Sequence, residues 1–102
     1  MEKLQQEIKA FIAARDWSQY HSPKNLAMAL SVETSELVEI FQWLSPKESH
    51  ELQGETLTHL EEEIGDIMIY LTTLAATYNL DPITAAKKKM IKNVEKYPAP
   101  PT

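Results

Sequence analysis

Three times in this chain a residue able to cap a helix stands directly before a proline: Ser22-Pro23, Ser45-Pro46 and Asp81-Pro82. A side-chain oxygen at the N-cap satisfies the first free backbone N–H groups of a helix. Proline suits the next position, because its φ is already helical and the N–H it lacks would be unpaired there anyway. Each pair therefore predicts a helix start. Only two glycines occur in the 102 residues and the prolines fall between periodic segments, a pattern of helices joined by short turns.

Four helices are expected. The first runs from Glu2 to Arg15, with Leu4, Ile8, Phe11 and Ile12 forming an apolar stripe at i, i+4, i+7 and i+8. The second runs from Pro23 to about Leu44. Ser45-Pro46-Lys47-Glu48 then offers a capping box for a short helical turn, followed by a polar, mobile HELQGE connection. The third helix runs from about Thr56 to Tyr78, with Thr58 and Glu61 as a capping pair near its start, and the fourth from Pro82 to Val94 or Lys96. YPAPPT cannot continue it. The second and third helices are apolar around most of their circumference, as in Leu26, Met28, Val32 and Phe41 or Ile64, Ile67, Ile69 and Leu71. Such rods are expected to be buried on nearly every side. Four helices of this length cannot cover two of them, so self-association is expected.

The length suits one domain, since domains typically hold about 100 to 150 residues. The expectation is a single all-α domain over 1–102, a four-helix bundle with a flexible tail at 98–102, assembled as a homodimer or tetramer. With no cysteine, disulfides, thiolate zinc sites and a thiol nucleophile are excluded. The start of the chain is charged from its second residue and no apolar run approaches a membrane span or a signal segment, which points to a cytoplasmic protein with no membrane partner. A net charge of −5 argues against general nucleic-acid binding, which needs positive charge toward the phosphate backbone.

That charge is unevenly spread. From Glu33 to Asp66 there are ten acidic residues against the single basic Lys47, whereas after Asp81 the lysines 87, 88, 89, 92 and 96 face only Glu95. The two regions either pair with each other or serve a site that needs both signs. At about 100° per residue, Glu33, Glu36 and Glu39 fall within an arc of about 120° on the second helix, and Glu63 and Asp66 lie about 60° apart on the third. A single such pair is ordinarily a solvated face, and acidic residues at a helix start also answer its dipole. Two pairs on two otherwise apolar helices are different. Unpaired carboxylates are costly to bury, the second helix has no cation beside them, and a hard divalent cation with oxygen ligands would neutralise them. A di-iron centre would need Glu-x-x-His, and none of His21, His50 or His59 follows a glutamate at that spacing.

The set E33-x-x-E36 and E63-x-x-D66, with W17-x-x-x-H21-x-x-x-N25, ELVEIFQW, EEIGDIMIYL and K89-x-x-x-N93-x-x-KYP, resembles the MazG-like all-α nucleoside triphosphate pyrophosphohydrolases, most closely their dCTP pyrophosphatase branch. The likeness covers Phe11 to Pro98. It implies Mg²⁺-dependent hydrolysis between the α- and β-phosphates of a (deoxy)nucleoside triphosphate, dCTP or a related dNTP, to a monophosphate and pyrophosphate, as house-cleaning of the nucleotide pool. Mn²⁺ would substitute for Mg²⁺.

Carried over by position, Glu33, Glu36, Glu63 and Asp66 match the family's metal ligands. Glu36 is the first choice for taking the proton of the attacking water, with Glu33 beside it and Glu39 and Glu62 in support. Trp17, His21 and Asn25 match positions lining the nucleotide pocket. Trp43 falls within about 20° of the helical strip of Glu36, where its indole can stack on a base. Tyr70 projects between Glu63 and Asp66 one turn on, toward the sugar. Lys89, Asn93 and Lys96 share a stripe of the fourth helix and match phosphate-binding positions, although lysines there also answer the dipole of the helix end. The contrasting reading is a non-catalytic helical module whose charge asymmetry serves protein interaction.

Overall fold

The computed structural model describes residues 1–101 and is all-helical, with no strand among them. Five α-helices occur: α1 (Glu2–Ala14), α2 (Pro23–Phe41), the four-residue α3 (Pro46–Ser49), α4 (Gly54–Thr77) and α5 (Pro82–Lys96). Ser18–Tyr20 adds one turn of 3₁₀-helix between α1 and α2.

All three cap and proline pairs start helices as expected. Ser22 Oγ accepts from the backbone N–H of Asn25 at 3.1 Å. Ser45 and Glu48 close a reciprocal capping box: Ser45 Oγ accepts from Glu48 N–H, and Glu48 Oε1 accepts from Ser45 N–H. Those bonds hold the Glu48 carboxyl below its ordinary pKa. Asp81 Oδ1 accepts from both Ile83 and Thr84 N–H groups, at 2.8 and 3.1 Å.

Two boundaries differ from the sequence expectation. α2 ends at Phe41 rather than near Leu44, so Trp43 lies in the turn that follows. α4 begins at Gly54, whose φ of 63° only glycine adopts without strain, and its N-cap Gln53 makes no side-chain bond. Thr58, expected to cap this helix with Glu61, instead donates to the Gly54 carbonyl. The HELQGE stretch is therefore partly helical. The tail expected at 98–102 is non-helical from Pro98 to Pro101, and Thr102 lies outside the described residues.

α4 is the element on which the others are assembled. α2 packs along it most extensively, while α1 and α5 each make their principal contact with it. Ile8 and Ile12 of α1 and Leu26 of α2 form the buried apolar core, with Leu26 fully buried. The rods expected to be enclosed are not enclosed within one chain: Met28, Val32 and Val38 of α2 and Leu57, Ile64 and Ile69 of α4 are exposed. The Cα radius of gyration is 16.9 Å, against about 13 Å for a compact domain of about 100 residues. The chain is a spread arrangement around the α2–α4 pair, and that pair carries the carboxylates.

Candidate metal centre

The packing of α2 on α4 brings Glu33, Glu36 and Glu63 together. One carboxylate oxygen from each lies within 4.8 Å of the others. The i, i+3 spacing puts Glu33 and Glu36 on one face of α2, and the apolar seam of the two helices places Glu63 opposite them. Glu63 is only 5% exposed; Glu33 and Glu36 are half-buried.

Little in the chain neutralises this group. Among the described residues, the one basic side chain within 4.0 Å of any carboxylate is His59, whose Nε2 lies 3.3 Å from Glu63 Oε1. No lysine pairs with the acidic centre, so the two charged regions do not pair with each other. Glu33 Oε2 and Glu63 Oε2 are both buried without a hydrogen-bond partner. Partial burial, the Glu63 carboxyl within hydrogen-bond reach, and the charges of Glu36 and Asp66 together push Glu33 from its ordinary 4.5 up to about 7. Carboxylates held against one another without a protein donor are costly, and a hard cation that prefers oxygen ligands removes the cost. The donor set, all oxygen, thus fits a hard cation such as Mg²⁺, Mn²⁺ or Ca²⁺ rather than a thiophilic metal.

The other expected site residues lie outside this group. Asp66 is exposed and outside the tight cluster, although its charge reaches Glu33. Trp43 is 87% exposed beyond the end of α2, so the helical projection that aligned it with Glu36 does not extend to it. Trp17 packs edge-on against Phe11 at 5.6 Å between ring centroids, with the Arg15 guanidinium over the other ring. Asn25 donates its side-chain N–H to the Tyr20 carbonyl, tying the 3₁₀ turn to the start of α2. Tyr70 and Asn93 are half-buried. Lys89 and Lys96 are exposed, with Lys96 Nζ 5.3 Å from the Tyr97 ring.

His21 faces a cleft of about 740 Å³ between α1 and α4, lined also by Gln5, Gln6, Thr72, Thr73 and Asp81. Its Nδ1 and the Thr72 hydroxyl are buried there without partners. Thr73 and Thr77 each donate to the carbonyl four residues earlier, whereas the fully buried Thr72 does not. A smaller cleft of about 430 Å³ lies between Glu39, Ile40, Glu55, Thr56 and His59. His59 and Thr72 were not among the expected site residues. The i, i+4 spacing of His59 and Glu63 was a usable signal for the first; nothing in the sequence sets Thr72 apart from its neighbours.

Residues 28–102 match the profile of the MazG-like family, about three quarters of the chain and including every carboxylate of the cluster. The chain belongs to the MazG-like family. Its MazG-like fold is also that of a pyrophosphatase from Archaeoglobus fulgidus, whose crystal structure superposes with a TM-score of 0.90 at 45% sequence identity, covering 97% of this chain and 93% of that one. The chain is 40% identical over 100 residues to dCTP pyrophosphatase 1 of Rattus norvegicus and 40% identical over 102 residues to that of Homo sapiens. These alignments cover 96% and 97% of this MazG-like chain, which spans 59% of the length of either relative.

Proposed function

We propose that this chain is a Mg²⁺-dependent nucleoside triphosphate pyrophosphohydrolase that cleaves dCTP or a related deoxynucleotide between the α- and β-phosphates, releasing the monophosphate and pyrophosphate. The observation that carries the reading is the carboxylate cluster with two buried, unpartnered oxygens in a MazG-like chain. An interaction module has no use for carboxylates buried at such cost. Similarity to the dCTP pyrophosphatases and to the archaeal pyrophosphatase supports the reaction and the substrate class.

Glu33, Glu36 and Glu63, with Asp66 at the edge, would hold the cation, and Mn²⁺ would serve in its place. When bound, the ion supplies charge neutralisation for the triphosphate and acidifies the attacking water. Glu36 takes the water's proton, because Glu33 and Glu63 each turn an oxygen into the buried centre. Glu33 orders the pair from the same face of α2. Glu39 and Glu62, both exposed, support the site from outside.

The nucleoside is assigned to the α1–α4 cleft, which His21 lines; Trp17, Asn25, Trp43 and Tyr70 do not line it and stand as nucleoside contacts on the family likeness alone. The cleft's volume is that of a small-molecule site. Thr72 lies nine residues beyond Glu63, about 13 Å along α4 at the helical rise, a span within reach of an extended nucleoside triphosphate. Lys89, Asn93 and Lys96 meet phosphate oxygens, the lysines as point charges free of ion pairs.

The same reading includes a cytoplasmic setting, no nucleic-acid or membrane partner, and assembly as a homodimer or tetramer. The bare apolar residues of α2, α4 and α5 support assembly. No helix among the described residues is long and apolar enough to cross a membrane.

Purified protein incubated with Mg²⁺ and a panel of NTPs and dNTPs tests the proposal. Monophosphate and pyrophosphate are the expected products, with a deoxycytidine nucleotide preferred, and Asp66→Asn or Glu36→Gln should stop turnover. Orthophosphate as the product, or no turnover of any nucleotide, defeats it.

A further inference from the structure

Glu63 is the most buried of the carboxylates, and its two oxygens have different surroundings. Oε1 lies 3.3 Å from His59 Nε2, while Oε2 is buried and unpartnered beside Glu33. His59 stands one turn earlier on α4, with its side chain 54% exposed against 6% for Glu63. The imidazole therefore covers the carboxylate from the solvent side. Its other neighbours in the adjoining cleft are Glu39, Ile40, Glu55 and Thr56, none of which approaches as an alternative ion-pair partner for it.

We infer that His59 is a positioning residue of the metal centre: by engaging Oε1, it fixes the Glu63 side chain and leaves Oε2 as the single oxygen offered to the cation. The inference rests on the reading of the carboxylate cluster as a metal site. Groups that orient a metal-ligating carboxylate set its affinity through geometry, and their loss typically weakens binding by about 10- to 100-fold. The arrangement also bears on ion choice. Ca²⁺ takes more oxygen ligands and often both oxygens of one carboxylate, whereas Mg²⁺ and Mn²⁺ are served by fewer. Committing Oε1 to His59 withholds the second oxygen that Ca²⁺ would use.

The test is a direct titration of the intact chain with Mn²⁺ and with Ca²⁺, by calorimetry and by the paramagnetic signal of free Mn²⁺, in the absence of nucleotide. His59→Ala is expected to weaken Mn²⁺ binding about tenfold or more while affecting Ca²⁺ less, so that the preference between the ions narrows. His59→Gln, whose amide can still donate to Oε1, is expected to recover most of the loss. The imidazole is half in solvent, so both variants should retain the helical circular dichroism and melting of the parent. Mn²⁺ binding by His59→Ala equal to that of the parent overturns the positioning role and leaves the metal centre standing. No Mn²⁺ binding by the parent overturns the metal centre, and the role of His59 with it.

Discussion

Glu33 of α2 and Glu63 of α4 meet across the packed helix pair with an unpartnered, buried Oε2 on each. This contact has a thermodynamic sign. The folded chain raises the Glu33 pKa from 4.5 to about 7, so between those values the folded state holds a proton that the unfolded state has lost. Stability of the metal-free protein is therefore highest near pH 4.5 as far as this group decides it, falls as pH rises through the window, and levels off above about 7. Thermal melts in a chelator across this range should show the decline, and Glu33→Gln should flatten it. A melting temperature that rises over the same interval in the parent and not in the variant would contradict the assignment.

Divalent cation should reverse the trend. A ligand that binds only the folded state stabilises it by about 2.7 kcal/mol at a hundredfold excess over its dissociation constant. For a chain of this size each kcal/mol moves the melting temperature by roughly 4–8 °C. Mg²⁺ or Mn²⁺ added at about pH 8 should thus raise the melting temperature by several degrees or more, and chelation should undo it. Glu63→Gln should abolish the response while leaving the metal-free protein no less stable, because it removes a buried charge. The observation to make is the shift with and without cation in both proteins.

Much of this was legible in the sequence because it depends on local chemistry. Ser22, Ser45 and Asp81 announced helix starts through side-chain oxygens acting two or three residues away, and each does so. The i, i+3 spacing of Glu33 and Glu36 fixed their common face without reference to the rest of the chain. That Glu63 joins them is implied by the likeness to the family's paired acidic motifs, since helices apolar on nearly every side do not say which faces meet. What was not legible depends on where a helix stops or on which neighbour fills a seam. Trp43 was aligned with Glu36 by projecting α2 two residues beyond its end at Phe41. The Thr58-x-x-Glu61 spacing suggests a cap, but Gly54 starts α4 one turn earlier with a positive φ. Thr72 is buried with its hydroxyl unpartnered in the cleft between α1 and α4, a tertiary fact with no local signature.

Asp81 permits a prediction independent of the metal centre. Its Oδ1 accepts from two backbone N–H groups at the start of α5, which leans chiefly on α4. Replacing such a cap by alanine costs about 1 kcal/mol, within a range of about 0.5–2. Asp81→Ala should therefore lower the melting temperature by roughly 4–8 °C, while Asp81→Asn or Asp81→Ser should restore most of it. Equal melting of parent and Asp81→Ala would mean that α5 contributes nothing to the cooperative unit, and amide exchange in α5 would then be fast in both.

The exposed apolar side chains make the last prediction. Met90, Ile91 and Val94 of α5 are each at least 65% exposed, and Met28 and Val32 of α2 are more than half exposed. Isolated surface apolar residues are ordinary, but adjacent ones on successive turns of two helices form patches that water penalises at about 25 cal/mol per Å². A second copy of the chain offers the same surfaces by symmetry, and isologous pairing covers both at once. Sedimentation of the purified chain should give a dimer or tetramer mass that persists on dilution into the low micromolar range. Met28→Glu and Val94→Glu, which place a charge in each patch away from the carboxylate cluster, separate the two surfaces. The variant that shifts the mass toward monomer identifies the helix that is covered, and a monomer for the parent at every concentration would mean that neither is.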